Sequence, residues 1–131
     1  MYQVASTPLY TLSVDTAKNR VYASKMGFWY DTAHTKHYLK HIEKALRQLS
    51  DGFTILTDLS ELDILSHDCA DMMIRMQKML IQTGCCGNAE IPPRTTIAKL
   101  QADRISEYSG MLKKCFTDKN DAEIWLDHII I

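Results

Sequence analysis

The 131-residue chain carries 15 basic and 16 acidic side chains, 46% hydrophobic residues and 24% charged residues, which fits one compact domain. Its formal charge of -1 excludes the strongly basic surface that is typical of nucleic-acid-binding domains. No apolar stretch approaches the ~20 residues that cross a bilayer, and residues 1–10 lack the pattern of a signal peptide. We therefore expect a single domain, residues 1–131, located in the cytoplasm, with no transmembrane segment and no nucleic-acid partner.

The first half of the chain alternates between strand and helix patterns. Polar and apolar residues alternate in Tyr10–Asp15 and Arg20–Lys25 around a turn, which predicts a β-hairpin whose second strand ends at Gly27-Phe28-Trp29. Apolar residues at helical spacing predict an amphipathic helix over residues 31–49, stopped by Ser50-Asp51-Gly52. The β-prone segment 53–59 predicts a strand buried inside a sheet, followed by an acidic loop.

The second half continues this alternation. The pattern predicts a helix over residues 68–83 with Ser66 or Asp68 as N-cap, a short strand at 88–91, a helix over Thr96–Ser109, a strand at 112–116 and a helix over 118–129 with Asp118 as N-cap. The order β-β-α-β-α-β-α-β-α predicts a layered α/β fold, with a mixed sheet of about five strands and about four helices.

The cysteines do not indicate a metal or redox site. Cys69, Cys85, Cys86 and Cys115 include no C-x-x-C pair, so the common zinc and thioredoxin-type signatures are absent. A disulfide between the adjacent Cys85 and Cys86 would require a strained connecting peptide, although glycines flank the pair. We expect reduced thiols and no cofactor.

The chain carries no familiar catalytic signature. It has no glycine-rich dinucleotide or phosphate loop, no G-x-S-x-G elbow and no H-E-x-x-H pair, so we expect no enzymatic activity. An enzyme would have to use Asp58, His67, Asp68 or the Cys85-Cys86 pair, brought together in one polar pocket.

The polar side of the first predicted helix carries three histidines, His34, His37 and His41, which fall on one flank. His37 and His41 have helical metal-ligand spacing, but no carboxylate or cysteine nearby completes a ligand set, so solvent-exposed histidines are favoured and metal binding stays open. A basic face on the same helix fits either a solvated surface or contact with an acidic partner, and consists of Lys36, Lys40, Lys44 and Arg47.

The second predicted helix is unusually apolar. Its apolar arc is about twice the ~100° that one-sided burial requires. Packing against two neighbours accounts for much of this width, and the methionine-rich excess suggests a homodimer contact or a groove for an apolar ligand at Met72, Met76 and Met79.

Several segments resemble one known family in the same order along the chain. They are Gly27-Phe28-Trp29, the helix Tyr38–Leu49, Gly52 with the strand-loop-helix unit at residues 53–73, Gln101 with Arg104, Phe116-Thr117-Asp118, Ala122 and Trp125-Leu126. Together they resemble STAS, or SpoIIAA-like, domains, the fold of bacterial anti-sigma-factor antagonists and of the cytoplasmic domains of sulfate-type anion transporters. The resemblance is sharpest to small, stand-alone bacterial SpoIIAA-like proteins of largely unassigned function.

The resemblance implies a non-enzymatic regulatory or protein-interaction module. In the antagonists, a partner kinase phosphorylates a serine at the start of the second helix; here Asp68 falls near that position, and Ser66 and Ser60 are the hydroxyls close by. The implied partner or switch loop comprises Asp58, Ser60, Ser66, His67 and Asp68. The alternative is a small apolar-ligand or lipid-binding protein of SpoIIAA-like fold. We expect a protein partner and a homodimer.

Overall fold

The computed structural model describes residues 1–129 and contains eight strands and four helices within that range. The strands are β1 (Tyr2–Ser6), β2 (Tyr10–Asp15), β3 (Arg20–Lys25), β4 (Gly27–Trp29), β5 (Thr54–Asp58), β6 (Leu62–Leu65), β7 (Gly87–Ile91) and β8 (Lys114–Cys115). The helices are α1 (Thr32–Leu46), α2 (His67–Thr83), α3 (Thr96–Ser109) and α4 (Lys119–Asp127). None of these four helices is long and apolar enough to cross a membrane.

Six strands form one mixed sheet in the order β1-β2-β3-β5-β7-β8. The β1-β2 and β2-β3 pairs are antiparallel, which confirms the predicted hairpin, while β3, β5, β7 and β8 run parallel. Each parallel step requires a crossover, and helices α1, α2 and α3 lie in the three crossovers. A second, two-stranded parallel sheet pairs β4 with β6.

Helices cover both faces of the main sheet, so its central strand is apolar on both sides. On β5, Ile55 belongs to the large core shared with α1, α2 and α3, while its neighbour Leu56 belongs to a smaller core shared with α4. The two residues face opposite sides because side chains alternate along a strand. The helical layer thus lies on one face and α4 on the other.

Local signals fix the ends of the helices. Asp31, Ser66, Thr95 and Asp118 each act as an N-cap whose side chain accepts a hydrogen bond from a backbone N–H in the first turn. Gly84 and Gly110 end α2 and α3 in the left-handed conformation that glycine adopts without a steric penalty. The predicted caps Ser66 and Asp118 are confirmed, while α1 ends at Leu46, three residues earlier than predicted.

The predicted fold class is confirmed, but three short strands were not predicted. Strand β1 lies at the sheet edge with exposed ends, and β4 has only three residues, so neither shows a clear alternation. Strand β6 occupies the segment that was predicted as an acidic loop. Only Leu62 and Leu65 of its four residues are buried, so its sequence does not alternate as a half-buried strand does. The prediction of one domain extends to residues 130 and 131, which lie outside the described range.

Candidate functional site

The residues predicted to form a switch loop fall into two groups, separated by β6. Asp58 and Ser60 follow β5, and the Asp58 carboxylate accepts hydrogen bonds from the Ser60 backbone amide (2.9 Å) and from Lys119 at the start of α4 (2.9 Å). Burial alone would raise the pKa of Asp58, but these hydrogen bonds outweigh it and hold that pKa below its usual value. Asp58 therefore fastens the end of β5 to α4.

The second group lies at the start of α2. The Ser66 hydroxyl accepts a hydrogen bond from the Cys69 backbone N–H (3.2 Å), so Ser66 serves as the N-cap. His67 is 88% exposed and its Nε2 lies 3.5 Å from the Asp71 carboxylate, one turn later. Asp68 is exposed in the first turn. This helix start is accessible and carries two carboxylates.

Beside it, α3 presents an apolar row to solvent. Ile97 is 70% exposed, Leu100 56% and Tyr108 73%, and exposed Arg104 lies between Leu100 and Tyr108. At about 100° per residue these four positions share an arc of about 80°. We refer to Ile97, Leu100, Arg104 and Tyr108 as the α3 outer face. Exposed apolar residues that cluster in this way mark interaction sites more often than single ones do.

Gln101 attaches α3 to the segment that leads into α2. Its Oε1 accepts a hydrogen bond from the Leu65 backbone N–H (2.8 Å), and its Nε2 donates to the Leu65 carbonyl (2.8 Å). Leu65 directly precedes the N-cap Ser66, and Ile64 beside it is also exposed. Gln101 therefore places α3 next to the segment that leads into α2.

The α3 outer face was not predicted from the sequence, although the bounds of the helix are as predicted. The buried side of α3 uses Ala98, Ala102 and Ile105, while larger residues point outward. A periodicity argument assigns large apolar residues to the core. The available signal was that apolar residues occupy two separate stripes of the same helix.

The methionine-rich face of α2 is mainly core. Met73 and Met76 are buried, Met79 is partly buried against the same core, and Met72 is half-buried. Helix α2 contacts both α1 and α3, and these two neighbours explain its wide apolar arc. An interface or ligand groove at Met72, Met76 and Met79 stays a prediction, and Met76 lies too deep to take part without rearranging the core.

The histidines of α1 do not converge on a metal site. The Tyr10 hydroxyl and His41 Nδ1 are hydrogen-bonded at 2.6 Å, whereas the buried Nδ1 of His34 has no partner in the described chain. Among residues 1–129, no group of three or more histidine, cysteine or acidic side chains is placed to hold a metal ion. His34, His37 and His41 therefore lack the ligand set that zinc requires.

The cysteines are free thiols. Burial raises the pKa of Cys85 to about 11 and also raises the pKa of the more exposed Cys86 and Cys115. A thiol with a raised pKa is a poor nucleophile at neutral pH because little thiolate is present. The adjacent pair therefore lacks the environment of a reactive cysteine.

Polar residues also line the core beneath α2 and α3. A cavity of about 20 Å³ there is bordered by the buried side chains of Lys25 and Glu90 and by Gln77 and Gln101. Glu90 pairs with Lys113 (2.7 Å), while the Lys25 ammonium lies 5.0 Å from the centre of the Tyr38 ring. This space has about the size of one water molecule and cannot hold a substrate.

A polar network fixes α4 to the opposite face of the sheet. The buried Arg20 guanidinium pairs with Glu123 (2.6 Å) and Asp127 (2.9 Å), and its Nε donates to Thr54 (2.8 Å). The Tyr22 hydroxyl donates a further hydrogen bond to Glu123. An open cavity of about 440 Å³ lies beside this network, but its charged groups are largely engaged with one another.

The fold is similar to that of a solved crystal structure. It superposes with a TM-score of 0.70 and 18% identity on an uncharacterized protein of the DUF3478 family from Shewanella loihica PV-4, over 93% of this chain and 97% of that chain. That protein has a SpoIIAA-like fold. No model of a protein family matches the chain, and no curated protein matches it. The chain therefore has a SpoIIAA-like fold, as its resemblance predicted, and the similarity extends to the fold alone.

Proposed function

We propose that this protein is a non-enzymatic interaction module that binds a partner protein through the α3 outer face and the adjoining start of α2. The observation that carries the proposal is the apolar row of Ile97, Leu100 and Tyr108, which is more than half exposed on a well-formed helix. An apolar row on an exposed helix can pack against the apolar side of a helix of a partner protein. Gln101 binds Leu65, which directly precedes Ser66, one of the two hydroxyls near the position, at Asp68, that the family resemblance connects with regulation.

The charges of this surface specify the partner. Arg104 lies in the middle of the row, and within residues 1–129 it takes part in no ion pair. In a two-fold antiparallel pairing of two copies centred on the row, Arg104 would meet Arg104 of the second copy, and like charges repel. A partner segment with an acidic residue between apolar ones complements the row better.

The residues that an enzyme would need support a non-catalytic role. Asp58 is neutralised by Lys119, and His67 lies on the exposed surface rather than in a pocket. Both thiols of the Cys85-Cys86 pair have raised pKa values. Asp58, His67 and the two thiols therefore do not form a nucleophile activated by a neighbouring base.

Site-specific photocrosslinking tests the proposal. A benzoylphenylalanine residue replaces Leu100, or as the control the exposed Asp121 on α4, which lies on the opposite face of the sheet, in cells that express the protein. The identified partner is then purified and its affinity measured with wild type and with R104E. We expect crosslinks from position 100 only, at least tenfold weaker binding by R104E, and recovery when the partner's acidic residue is changed to arginine. Crosslinks only between copies of this chain, or unchanged affinity of R104E, would contradict the proposal.

A further inference from the structure

A second surface has the features of a small-molecule site and lies away from α3. Where the β1-β2 turn, the end of β4 and the start of α1 meet, the structure contains an open groove of about 360 Å³. We call it the aromatic groove, and its lining residues are Thr7, Pro8, Leu9, Tyr10, Phe28, Tyr30, His34 and His37. Its volume lies in the usual range of small-ligand pockets.

The walls of the aromatic groove expose two aromatic rings to solvent, those of Phe28 and Tyr30. Side chains alternate along β4, so Trp29 is fully buried while Phe28 is 46% and Tyr30 64% exposed. The Phe28 and Tyr30 rings lie 5.5 Å apart and are tilted by 45°, and Tyr30 meets the edge of His34 at 6.1 Å. A flat ligand ring that lies against the exposed faces of Phe28 and Tyr30 would gain stacking and remove apolar surface from water.

The polar groups of the aromatic groove are hydrogen-bond donors rather than carboxylates. Its lining residues carry two imidazoles and three hydroxyls, those of Thr7, Tyr10 and Tyr30, and no acidic side chain. The buried Nδ1 of His34 has no partner, which leaves Nε2 as the ring nitrogen that can serve a ligand. The Tyr10 ring is held in place by its bond to His41. Asp31, the N-cap of α1, is not among the lining residues, and its carboxylate accepts a hydrogen bond from the Ala33 backbone N–H (2.9 Å).

We infer that the aromatic groove binds a small planar aromatic carboxylate. The ring of the ligand would lie against Phe28 and Tyr30, and its carboxylate would accept hydrogen bonds from His34 and His37. An imidazole N–H bonded to a carboxylate gives a charge-assisted hydrogen bond, which is stronger than a bond to a neutral acceptor. An anionic ligand is favoured because the lining carries donors and no competing carboxylate.

Calorimetric titration with 2-naphthoate tests this inference, with the neutral 2-naphthalenemethanol as the matched ligand. We expect 2-naphthoate to bind and the neutral analogue to bind at least fivefold more weakly. F28A should weaken the binding of both ligands at least fivefold. H34A together with H37A should remove the preference for 2-naphthoate. Y2A removes an equally exposed aromatic residue from β1, outside the groove, and should leave binding unchanged.

Thermal unfolding of each variant distinguishes loss of the site from loss of the fold, and the exposed positions of Phe28 and His37 favour intact folding. Amide NMR shifts caused by 2-naphthoate should map to Thr7, Leu9 and the start of α1. The inference is overturned if 2-naphthoate does not bind at millimolar concentration, if folded F28A binds it as wild type does, or if Y2A weakens binding as much as F28A. Shifts confined to α3 would likewise overturn it.

Discussion

Gln101 closes both backbone hydrogen bonds of Leu65 from a position 36 residues later in the chain. The side-chain amide takes the role of a neighbouring strand, since it accepts from the Leu65 N–H and donates to the Leu65 carbonyl. In this way α3 occupies the side of β6 that β4 leaves free. The arrangement connects the fold to the proposed function, because it positions the α3 outer face beside the Ser66 cap.

We predict that Q101L lowers the free energy of unfolding by about 1–3 kcal/mol, because two partly buried backbone groups lose their partners. Urea unfolding measures this loss, with Q82L, at an exposed position on α2, as the control. Q101E still accepts from the Leu65 N–H but has no N–H to donate to the carbonyl. Hydrogen exchange at the Leu65 amide should therefore accelerate more in Q101L than in Q101E. Equal exchange in wild type and Q101L would contradict the bonding described.

Lys25 should give the unfolding free energy a distinct pH dependence. Burial is the main reason why the pKa of Lys25 falls from 10.5 to about 8, and the charge of Lys113 adds to this effect while that of Glu90 opposes it. Between these two pKa values the unfolded chain binds more protons than the folded chain, so the contribution of Lys25 to stability rises with pH. K25M, which keeps the length of the side chain, removes this dependence.

The comparison is between the unfolding free energies of K25M and wild type at pH 7 and at pH 9.5. A shift of one pKa unit corresponds to about 1.4 kcal/mol. The stability that K25M gains over wild type should therefore be about 2 kcal/mol larger at pH 7 than at pH 9.5. Subtracting the wild-type value from the K25M value at each pH cancels the contributions of tyrosines and thiols, which titrate in the same range in both proteins. The same gain at both pH values would show that Lys25 is not desolvated as described.

Arg20 should contribute more than Lys18 to the free energy that holds α4 against the sheet, because it pairs with both Glu123 and Asp127 from a buried position. We predict that R20M lowers the free energy of unfolding by about 2 kcal/mol at pH 7, less than the ~3–5 kcal/mol of a fully buried pair because Glu123 and Asp127 are partly exposed. K18M, which removes an exposed partner of the same carboxylates, should have a much smaller effect. Chemical unfolding of both variants, followed by the combined fluorescence of Trp29 in the core and Trp125 on α4, provides the measurement.

The same network predicts the response to acid. Burial opposes ionisation of Glu123, but hydrogen bonds from Tyr22, Lys18 and Arg20 lower its pKa below 4.5, and the bond to Arg20 lowers the pKa of Asp127 below 3.8. The stabilisation is therefore complete above about pH 4.5 and is lost as the pH falls through the lowered values. Wild type should lose stability more steeply than R20M below about pH 4. Parallel acid titrations would count against a structural role of Arg20.

The sequence correctly predicted features that depend on neighbouring residues, such as the ends of helices. Ser66 and Gly84 mark the two ends of α2 through capping, which depends only on nearby backbone groups. Strand β6 was not predicted because the bonds that define it come from Gln101 and from β4. The α3 outer face was not predicted because the space beside α2 accepts Ala98 and Ala102 but leaves Leu100 in solvent. Tertiary packing decides both features, and a single sequence does not report it.

Ser66 allows the structural role of its hydroxyl to be separated from a regulatory one. S66A removes the acceptor for the Cys69 N–H, so we expect a loss of about 1 kcal/mol in unfolding free energy. S66N and S66D should both retain the cap, since asparagine and aspartate are good N-caps. These two variants differ mainly by one negative charge beside Asp68 and Asp71.

A negative charge at position 66 would regulate binding of the proposed partner. Because the proposed partner presents an acidic residue to Arg104, a negative charge at Ser66 should repel it, as a phosphate would. Crosslinking from position 100 should therefore fall in S66D and persist in S66N, with both proteins as stable as wild type. If S66D and S66N crosslink equally, the start of α2 does not contact the partner. If both fail equally while folded, the Ser66 hydroxyl itself contacts the partner, and charge is not the means of control.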